Sequence, residues 1–226
     1  MISLSNVTKK YSDGNIGVQD IDLDIEAGEF VSIVGPSGTG KTTIVKLLIA
    51  EERPTEGAIE IGGWDITNIP YRHVPHLRRQ IGVVFQDFKL LPKKTAYENV
   101  AFALQVAGES SEKITEIVPK VLDIVGLSDK KDEYPDELST GQQQRVVIAR
   151  SLVHRPKILV ADEPTGNLDT LNTYEIAEIL KKINQFGTTI VLVTHDKEVV
   201  NRLKERVVTI EDGRIKSDIK EGKYRL

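Results

Sequence analysis

A glycine-rich stretch near the start of the chain, Gly35–Thr42, has the residue types and spacing of a phosphate-binding loop. Its sequence, GPSGTGKT, fits the pattern G-x-x-x-x-G-K-[ST]. In such a loop the backbone curls around phosphate oxygens, a lysine supplies positive charge, and a hydroxyl ligates Mg²⁺. The stretch therefore predicts a binding site for a nucleoside triphosphate.

The residues of this loop have different expected roles. Gly35, Gly38 and Gly40 allow left-handed backbone angles and a close approach to phosphate. Lys41 reaches the β- and γ-phosphates, and the Thr42 hydroxyl ligates Mg²⁺. The nucleotide-binding residues predicted in the loop are Gly35, Ser37, Gly38, Thr39, Gly40, Lys41, Thr42 and Thr43.

Two adjacent carboxylates, Asp162 and Glu163, follow a second apolar run, Ile158–Ala161. Neighbouring side chains of a strand point to opposite faces, but the chain turns where a strand ends, and there both can serve one site. Asp162 would then hold Mg²⁺ through water, and Glu163 would polarise the attacking water as a general base. An acidic strand cap is the alternative, and the nearby phosphate-binding loop favours the catalytic interpretation.

A third polar cluster, Leu138–Gln142, predicts the start of a helix. Ser139 is a candidate N-cap, and Gln142, three residues later, completes a capping box. A helix N-terminus with a hydroxyl and a glycine, Gly141, is also suited to bind an anion. The two interpretations do not exclude each other.

Apolar patterns indicate the strands that position these residues. The run Phe30–Val34 predicts a buried strand before the loop, and a helix is expected to begin at Lys41. Period-two alternation, glycine turns and short apolar runs predict further strands and hairpins at residues 2–7, 18–25, 58–66, 158–161, 188–194 and 206–215.

Helical spacing dominates the middle of the chain. Helices are predicted at residues 96–106, 112–125, 139–152 and 173–184. Ser110 or Ser111 caps the second of these helices and Gly126 ends it. Pro119 lies inside the same helix and is expected to split or kink it. The order of elements indicates an α/β core with a helical insertion.

The motifs, taken in order, resemble those of the nucleotide-binding subunits of ATP-binding-cassette (ABC) systems over essentially the whole chain. The resemblance implies a P-loop NTPase (RecA-like) core with an N-terminal antiparallel β-subdomain and an inserted α-helical subdomain. Residues 1–226 would form one nucleotide-binding domain, with residues 88–153 as the helical subdomain. ATP and Mg²⁺ would bind a homodimer that sandwiches two nucleotides between its subunits.

The resemblance also implies individual roles. Tyr11 would stack on adenine, Gln86 would sense the γ-phosphate, Mg²⁺ and a membrane partner, and His195 would donate to the γ-phosphate. Residues 138–142 match the signature motif, and Asn167–Asp169 match the D-loop. The implied catalytic residues are Lys41, Gln86, Glu163 and His195. The implied metal ligands are Thr42, Gln86 and Asp162, and the signature residues that touch ATP across the dimer are Ser139, Gly141 and Gln142.

One position departs from the family pattern. The signature usually has two glycines after the serine, and here the first of them is Thr140. Threonine adds a β-branched side chain to the expected dimer interface and excludes backbone angles that only glycine adopts. We expect a working site with slower or weaker dimerisation.

Three stretches, at residues 74–92, 95–101 and 161–169, further resemble the ABC ATPases of bacterial cell division. This implies a separate membrane partner at the division site and control of peptidoglycan hydrolases. The alternative is the ATPase of a lipoprotein-releasing or macrolide-type exporter. A soluble ABC protein acting on DNA or ribosomes would need a second cassette or a coiled-coil insertion, and a P-loop kinase or GTPase would not need residues 138–142 or His195.

The composition bounds these interpretations. With 226 residues, 39% of them hydrophobic, the chain can bury one good core. A net charge of −4 argues against nucleic-acid binding, and the absence of cysteine excludes disulfides. No apolar run approaches the roughly 20 residues of a membrane helix, and the first residues lack a signal-peptide pattern. We therefore expect a soluble cytoplasmic protein, peripheral on the inner face of the membrane through its partner.

Two groups of basic residues are expected to face either the membrane partner or solvent. The groups are Lys89, Lys93 and Lys94, and Lys220, Lys223 and Arg225.

Overall fold

The computed structural model describes residues 1–220 and 222, and these contain ten strands and seven α-helices. The strands are β1 (Ile2–Lys10), β2 (Ile16–Ile25), β3 (Phe30–Val34), β4 (Glu56–Ile61), β5 (Trp64–Asp65), β6 (Ile81–Val84), β7 (Ile158–Asp162), β8 (Thr189–Val193), β9 (Arg206–Glu211) and β10 (Arg214–Ile219). The helices are α1 (Lys41–Leu48), α2 (Val74–Gln80), α3 (Ala96–Val106), α4 (Ser111–Ile124), α5 (Thr140–Leu152), α6 (Thr170–Gln185) and α7 (Lys197–Leu203).

A six-stranded sheet in the order β10-β9-β3-β8-β7-β6 forms the middle layer. Strands β9 to β6 run parallel, and β10 pairs antiparallel with β9. Every residue of β3, β7 and β8 is buried, because both faces of the sheet are covered. In β7, Leu159 and Ala161 pack into one apolar cluster, and Ile158 and Val160 pack into another.

One face of this sheet is covered by α1 and by a second, antiparallel sheet. That sheet has the order β2-β1-β4-β5, with Ile2 paired to Ile25 on one side and to Ile61 on the other. Ile44 and Leu47 of α1 share an apolar cluster with these strands. The N-terminal third of the chain therefore holds the phosphate-binding loop from one side.

The other face is covered by the remaining long helices. Capping boxes begin α3 at Thr95 and α5 at Ser139, and Ser110 caps α4. The buried apolar side chains of α3, α4, α5 and α6 join one apolar cluster with the facing side of β7 and β8. This cluster fixes the direction in which α5 presents its N-terminus.

The structure confirms the predicted α/β architecture, with an antiparallel β layer and inserted helices. The predicted split at Pro119 is wrong, because α4 is continuous from Ser111 to Ile124. A kink at this residue stays a prediction. Proline in a helix costs about 3 kcal/mol, but Ile114 and Val118 before it and Leu122 after it are buried in the same core. Packing on both sides of the proline keeps the helix continuous.

Three elements carried no prediction, namely α2, β6 and α7. Each is short, with seven, four and seven residues. Runs of this length do not complete enough periods of apolar spacing to separate helix from strand. Tertiary packing decides their conformation.

Two further expectations can be compared with the fold. Among the described residues, no helix has both the length and the apolar character needed to cross a membrane. Lys220 is exposed after β10, whereas Lys223 and Arg225 lie outside the described residues.

Candidate active site

Four sequence motifs meet at the carboxyl edge of the parallel strands. Strand β8 lies between β3 and β7, and β6 lies beside β7. The loop at Gly35 follows β3, Asp162 ends β7, His195 follows β8, and Gln86 follows β6. Because parallel strands end at the same edge, this order brings a phosphate-binding loop and three polar groups together.

The glycines of the loop are required by the protein's own backbone. Gly35, Gly38 and Gly40 have φ angles of 154°, 81° and 101°. A Cβ on Gly35 would lie 2.1 Å from the Ile210 carbonyl oxygen, and one on Gly40 would lie 2.0 Å from that of Gly17. The sequence predicted the left-handed angles, but these two contacts inside the chain could not be read from it.

The N-terminus of α1 is left open towards the loop. Gly40 is the N-cap and supplies no side-chain hydrogen bond, and the first turn contains no acidic residue. The first backbone N–H groups of a helix have no acceptor within the helix, and they carry its positive dipole end. An anion is therefore the group that satisfies this helix end.

Lys41 is buried against its own loop. Its ammonium donates to the carbonyl oxygens of Gly35 and Pro36 at 2.9 and 2.8 Å. Burial lowers the pKa of Lys41, while the carboxylates of Glu163 and Asp162 act in the opposite direction. An ammonium has three donors, so one remains for a phosphate oxygen.

Tyr11 lies at the entrance to this loop. Its hydroxyl and that of Thr43 are 3.2 Å apart, and the Lys9 ammonium lies 5.2 Å from the centre of its ring. Tyr11 lines a cavity of about 440 Å³ together with residues Gly38 and Gly40–Thr43. Tyr11 therefore borders the candidate nucleotide cavity, and its adenine-stacking role stays a prediction.

Asp162 has the surroundings of a cation ligand. Burial, and then the charge of Glu163, raise the pKa of Asp162, while a hydrogen bond with the Thr42 side chain acts against that rise. Its Oδ1 atom is buried and has no hydrogen-bond partner among the described residues. A bound cation would satisfy this oxygen and hold Asp162 ionised, so Asp162 and Thr42 fit Mg²⁺.

Glu163 is held by the loop after β8. His195 Nδ1 lies 2.7 Å from Glu163 Oε1, and the Thr194 hydroxyl donates to Oε2 at 3.2 Å. The backbone of Glu163 has φ 48°, a left-handed angle that turns its side chain away from the direction expected on a continuing strand. This turn allows the adjacent carboxylates of Asp162 and Glu163 to face one site, as the sequence predicts.

The contact between Glu163 and His195 constrains the proton on the imidazole. A carboxylate only accepts hydrogen bonds, so Nδ1 is the donor and a neutral His195 has no proton on Nε2. In this arrangement His195 can donate to a γ-phosphate only as an imidazolium or after it leaves Glu163. The predicted donor role therefore requires a change at this pair.

Gln86 lies beside the turn that follows Glu163. A Cβ on Gly166 would be 3.3 Å from Gln86 Nε2, so the glycine leaves room for this amide. Gln86 is thus next to the turn that carries the candidate base.

The signature residues are separate from this site within one chain. Ser139 and Gln142 bond each other in a capping box, Gln142 Oε1 accepting from Ser139 N at 2.8 Å. Among the described residues, no hydrogen bond joins residues 139–142 to the loop at 35–42. Thr140 is exposed and begins α5 in ordinary helical conformation, so its backbone does not need glycine.

Gly141 has a role that the sequence did not indicate. It is buried, and a Cβ there would lie 2.0 Å from the Asn172 side-chain oxygen. Asn172 is itself bonded to Asp169, the N-cap of α6. Gly141 therefore lets α5 pack closely against the start of α6, in addition to any contact with ATP.

A larger cavity, about 510 Å³, lies elsewhere, between α4 and the C-terminal ends of α5 and α6. Among the described residues its lining is mainly apolar and contains neither a carboxylate nor a glycine-rich loop. The smaller cavity beside Tyr11 and Lys41 therefore fits a nucleotide better.

Comparison with known proteins shows the family of the chain. A family model described as ABC transporter matches residues 18–166. The chain belongs to the ABC transporter family. It is 51% identical over 224 residues to the cell division ATP-binding protein FtsE of Bacillus subtilis strain 168, covering 99% of this chain and 98% of the relative. It is 49% identical over 227 residues to the FtsE of Mycobacterium tuberculosis H37Rv, covering 100% and 99%.

Solved structures of the family show the same fold. A dimeric post-hydrolysis state of the ATP-binding cassette MJ0796, bound to ADP and Pi, matches with a TM-score of 0.88 and 37% identity. The match covers 99% of this chain and 100% of that chain. The ABC subunit described here is therefore an ATPase of the ABC type that binds ATP.

Thr194 is the supporting residue that sequence reasoning missed. Its hydroxyl bonds Glu163 and also accepts from Asp196 N at 3.0 Å. The available signal was that Thr194 precedes His195 at the end of a buried strand, but strand order was needed to place it beside Glu163.

Proposed function

We propose that this ABC subunit drives an FtsX-like membrane protein during bacterial cell division and thereby regulates peptidoglycan hydrolysis. The observation that carries the proposal is near full-length identity of 43–51% to proteins named FtsE from several bacteria, joined to an intact ATP-site geometry. The exporter ATPases share the chemistry but would act on a different partner.

The site residues divide the work of hydrolysis. Lys41 and the N-terminus of α1 bind and orient the phosphates, and Tyr11 holds the adenine. Glu163, kept in place by Thr194, accepts a proton from the attacking water. Gln86, Thr42 and Asp162 would hold Mg²⁺, which would neutralise charge on the phosphate oxygens. A site with one protein carboxylate suits Mg²⁺.

Hydrolysis requires two copies of the chain in this proposal. Ser139, Gly141 and Gln142 of one copy close over the ATP held by the other, which gives a two-fold symmetric homodimer. The exposure of Ser139 at the free N-terminus of α5 and the dimeric state of the MJ0796 cassettes support this arrangement. Loss of the γ-phosphate then allows the dimer to open.

An exposed face on α3 supports a docking site for the membrane partner. Phe102 and Val106 lie four residues apart on one face and are 40% and 69% exposed. Lys94 lies 6.0 Å from the Phe102 ring. An apolar patch with an adjacent basic group suits a short amphipathic segment of the FtsX-like protein. We place residues 88–153, which contain α3, in the helical subdomain that would receive it.

Reconstitution tests this function directly. With an FtsX-like protein in vesicles, ATP hydrolysis should rise above the rate of the isolated chain. Phe102→Glu should abolish that rise and leave the basal rate unchanged, while Lys120→Glu, on the solvent side of α4, should change neither. Binding to a solute-exporting permease instead of the FtsX-like protein would contradict the cell-division role.

A further inference from the structure

An arginine of α5, Arg150, forms hydrogen bonds with the segment that follows Gln86. The Arg150 guanidinium donates to the carbonyl oxygens of Phe88 and Lys89 at 3.0 and 2.8 Å. The backbone of Lys89 has φ 47°, a left-handed angle that is costly for a residue with a side chain. The two bonds hold the backbone in this conformation.

The same segment is fastened to α3 by a buried amide. Asn99 has no exposed surface, and its Oδ1 accepts from Leu91 N at 2.8 Å. Its Nδ2 lies within 3.1 Å of the carbonyl oxygens of Leu91, Lys94 and Thr95. The chain from residue 88 to residue 95 is therefore attached to the helices at both ends, and residues 85–87 form the short link to strand β6.

The Arg150 guanidinium is held by backbone oxygens of the segment after Gln86 and not by a carboxylate. No carboxylate forms an ion pair with Arg150 among residues 1–220 and 222, and its guanidinium donates to the carbonyl oxygens of Phe88 and Lys89. Burial lowers the pKa of Arg150, which reflects the cost of keeping its charge away from water. A charge-assisted fork is stronger and more directional than neutral bonds. Such a group is suited to transmit displacement between the elements it joins.

Helix α5 connects this fork to the signature. Arg150 lies in its last turn, and Ser139 caps its start. At 1.5 Å per residue the helix is about 20 Å long. We propose that Arg150 is a positioning residue that couples the segment after Gln86 to the signature end of α5. A shift of Gln86 on nucleotide binding is thereby converted into the placement of Ser139 against the second subunit's ATP. This inference rests on the proposed sandwich dimer.

The test is a mutant cycle on the full chain in the Glu163→Gln background. The variants are Arg150→Lys, Gln86→Ala and the double variant, with Arg202→Lys on α7 as the matched arginine control. Lysine keeps the charge but loses the planar fork. Nucleotide affinity is measured at protein concentrations that keep the chain monomeric. Dimerisation is then measured by sedimentation as a function of ATP concentration.

We expect Arg150→Lys to leave monomer affinity within about two-fold and to raise the ATP concentration for half-dimerisation about ten-fold. The effects of two residues that act through one path are non-additive. The double variant should therefore need no more ATP for half-dimerisation than the more impaired of the two single variants. Arg202→Lys should match the Glu163→Gln parent. Unchanged dimerisation, a multiplicative loss in the double variant, or an equal loss of monomer affinity would overturn the coupling role.

Two safeguards keep the result interpretable. If Arg150→Lys does not fold, Arg150→Gln, which retains one planar donor group, replaces it in the same cycle. If the Glu163→Gln parent itself fails to dimerise with ATP, the sandwich model fails. The coupling is then tested on the monomer by amide hydrogen exchange at residues 139–142 with and without ATP, where an ATP-dependent change that Arg150→Lys leaves unaltered would refute it separately.

Discussion

The sheet-edge half of the proposed ATP site and the half on α5 are built differently. At the sheet edge, Lys41 and Asp162 are buried and Glu163 is held by Thr194 and His195. On α5, Ser139 and Thr140 are exposed, and the polar groups of the capping box bond one another. One half is preorganised by its own chain, whereas in the proposed dimer the other half meets ATP only in a second copy. Binding and hydrolysis should therefore be separable by mutation.

Glu163→Gln should separate ATP binding from ATP hydrolysis most strongly. A general base contributes about 10²–10⁴-fold to a rate, so phosphate release should fall by that factor. Glutamine preserves size and can still bond Thr194, so ATP affinity should remain, and the dimer should persist because ATP is not consumed. A phosphate-release assay and sedimentation with ATP measure the two effects. Near-normal turnover would remove Glu163 from the role of base.

Lys41→Ala tests the preorganised half alone. It removes two hydrogen bonds to the loop and the charge facing phosphate. A hydrogen bond to a charged group contributes about 1.5–3 kcal/mol, so ATP affinity should fall by about 10–100-fold. Lys46→Ala is the matched control, because Lys46 is on the same helix and lies 3.9 Å from Glu51 in an exposed ion pair. Equal affinity of the two variants, measured by titration calorimetry, would contradict the geometry of the loop.

The two halves also differ in how far the sequence predicts them. The loop at Gly35–Thr42 follows from residue types and spacing, since glycine, lysine and a hydroxyl have direct physical roles. Buried strands and capped helices follow from apolar periods and from Ser110 and Ser139. The role of the signature across a dimer came only through family resemblance, because nothing local to Leu138–Gln142 indicates a second chain.

Contacts between distant segments account for the parts that sequence reasoning missed. The approach of Gly40 to Gly17, and of Gly141 to Asn172, depends on how strands and helices pack. The bond of Thr194 to Glu163 depends on β8 lying beside β7. Continuity of α4 through Pro119 depends on a core that spans both sides of it. Local propensity cannot predict these contacts or the continuity of α4, since tertiary packing overrides local propensity.

Thr140→Gly should have the smallest effect and tests the half on α5. Glycine would remove a β-branched side chain from the proposed interface, so dimerisation with ATP should strengthen by about two- to three-fold in the Glu163→Gln background. Glycine also lowers helix stability by up to about 1 kcal/mol. Ser111→Gly is a matched control for that cost, because Ser111 is likewise the exposed first residue of a serine-capped helix. Both variants should lose similar thermal stability, and only Thr140→Gly should change the sedimentation result. A parallel change in both would show that the family's missing glycine affects the helix and not the interface.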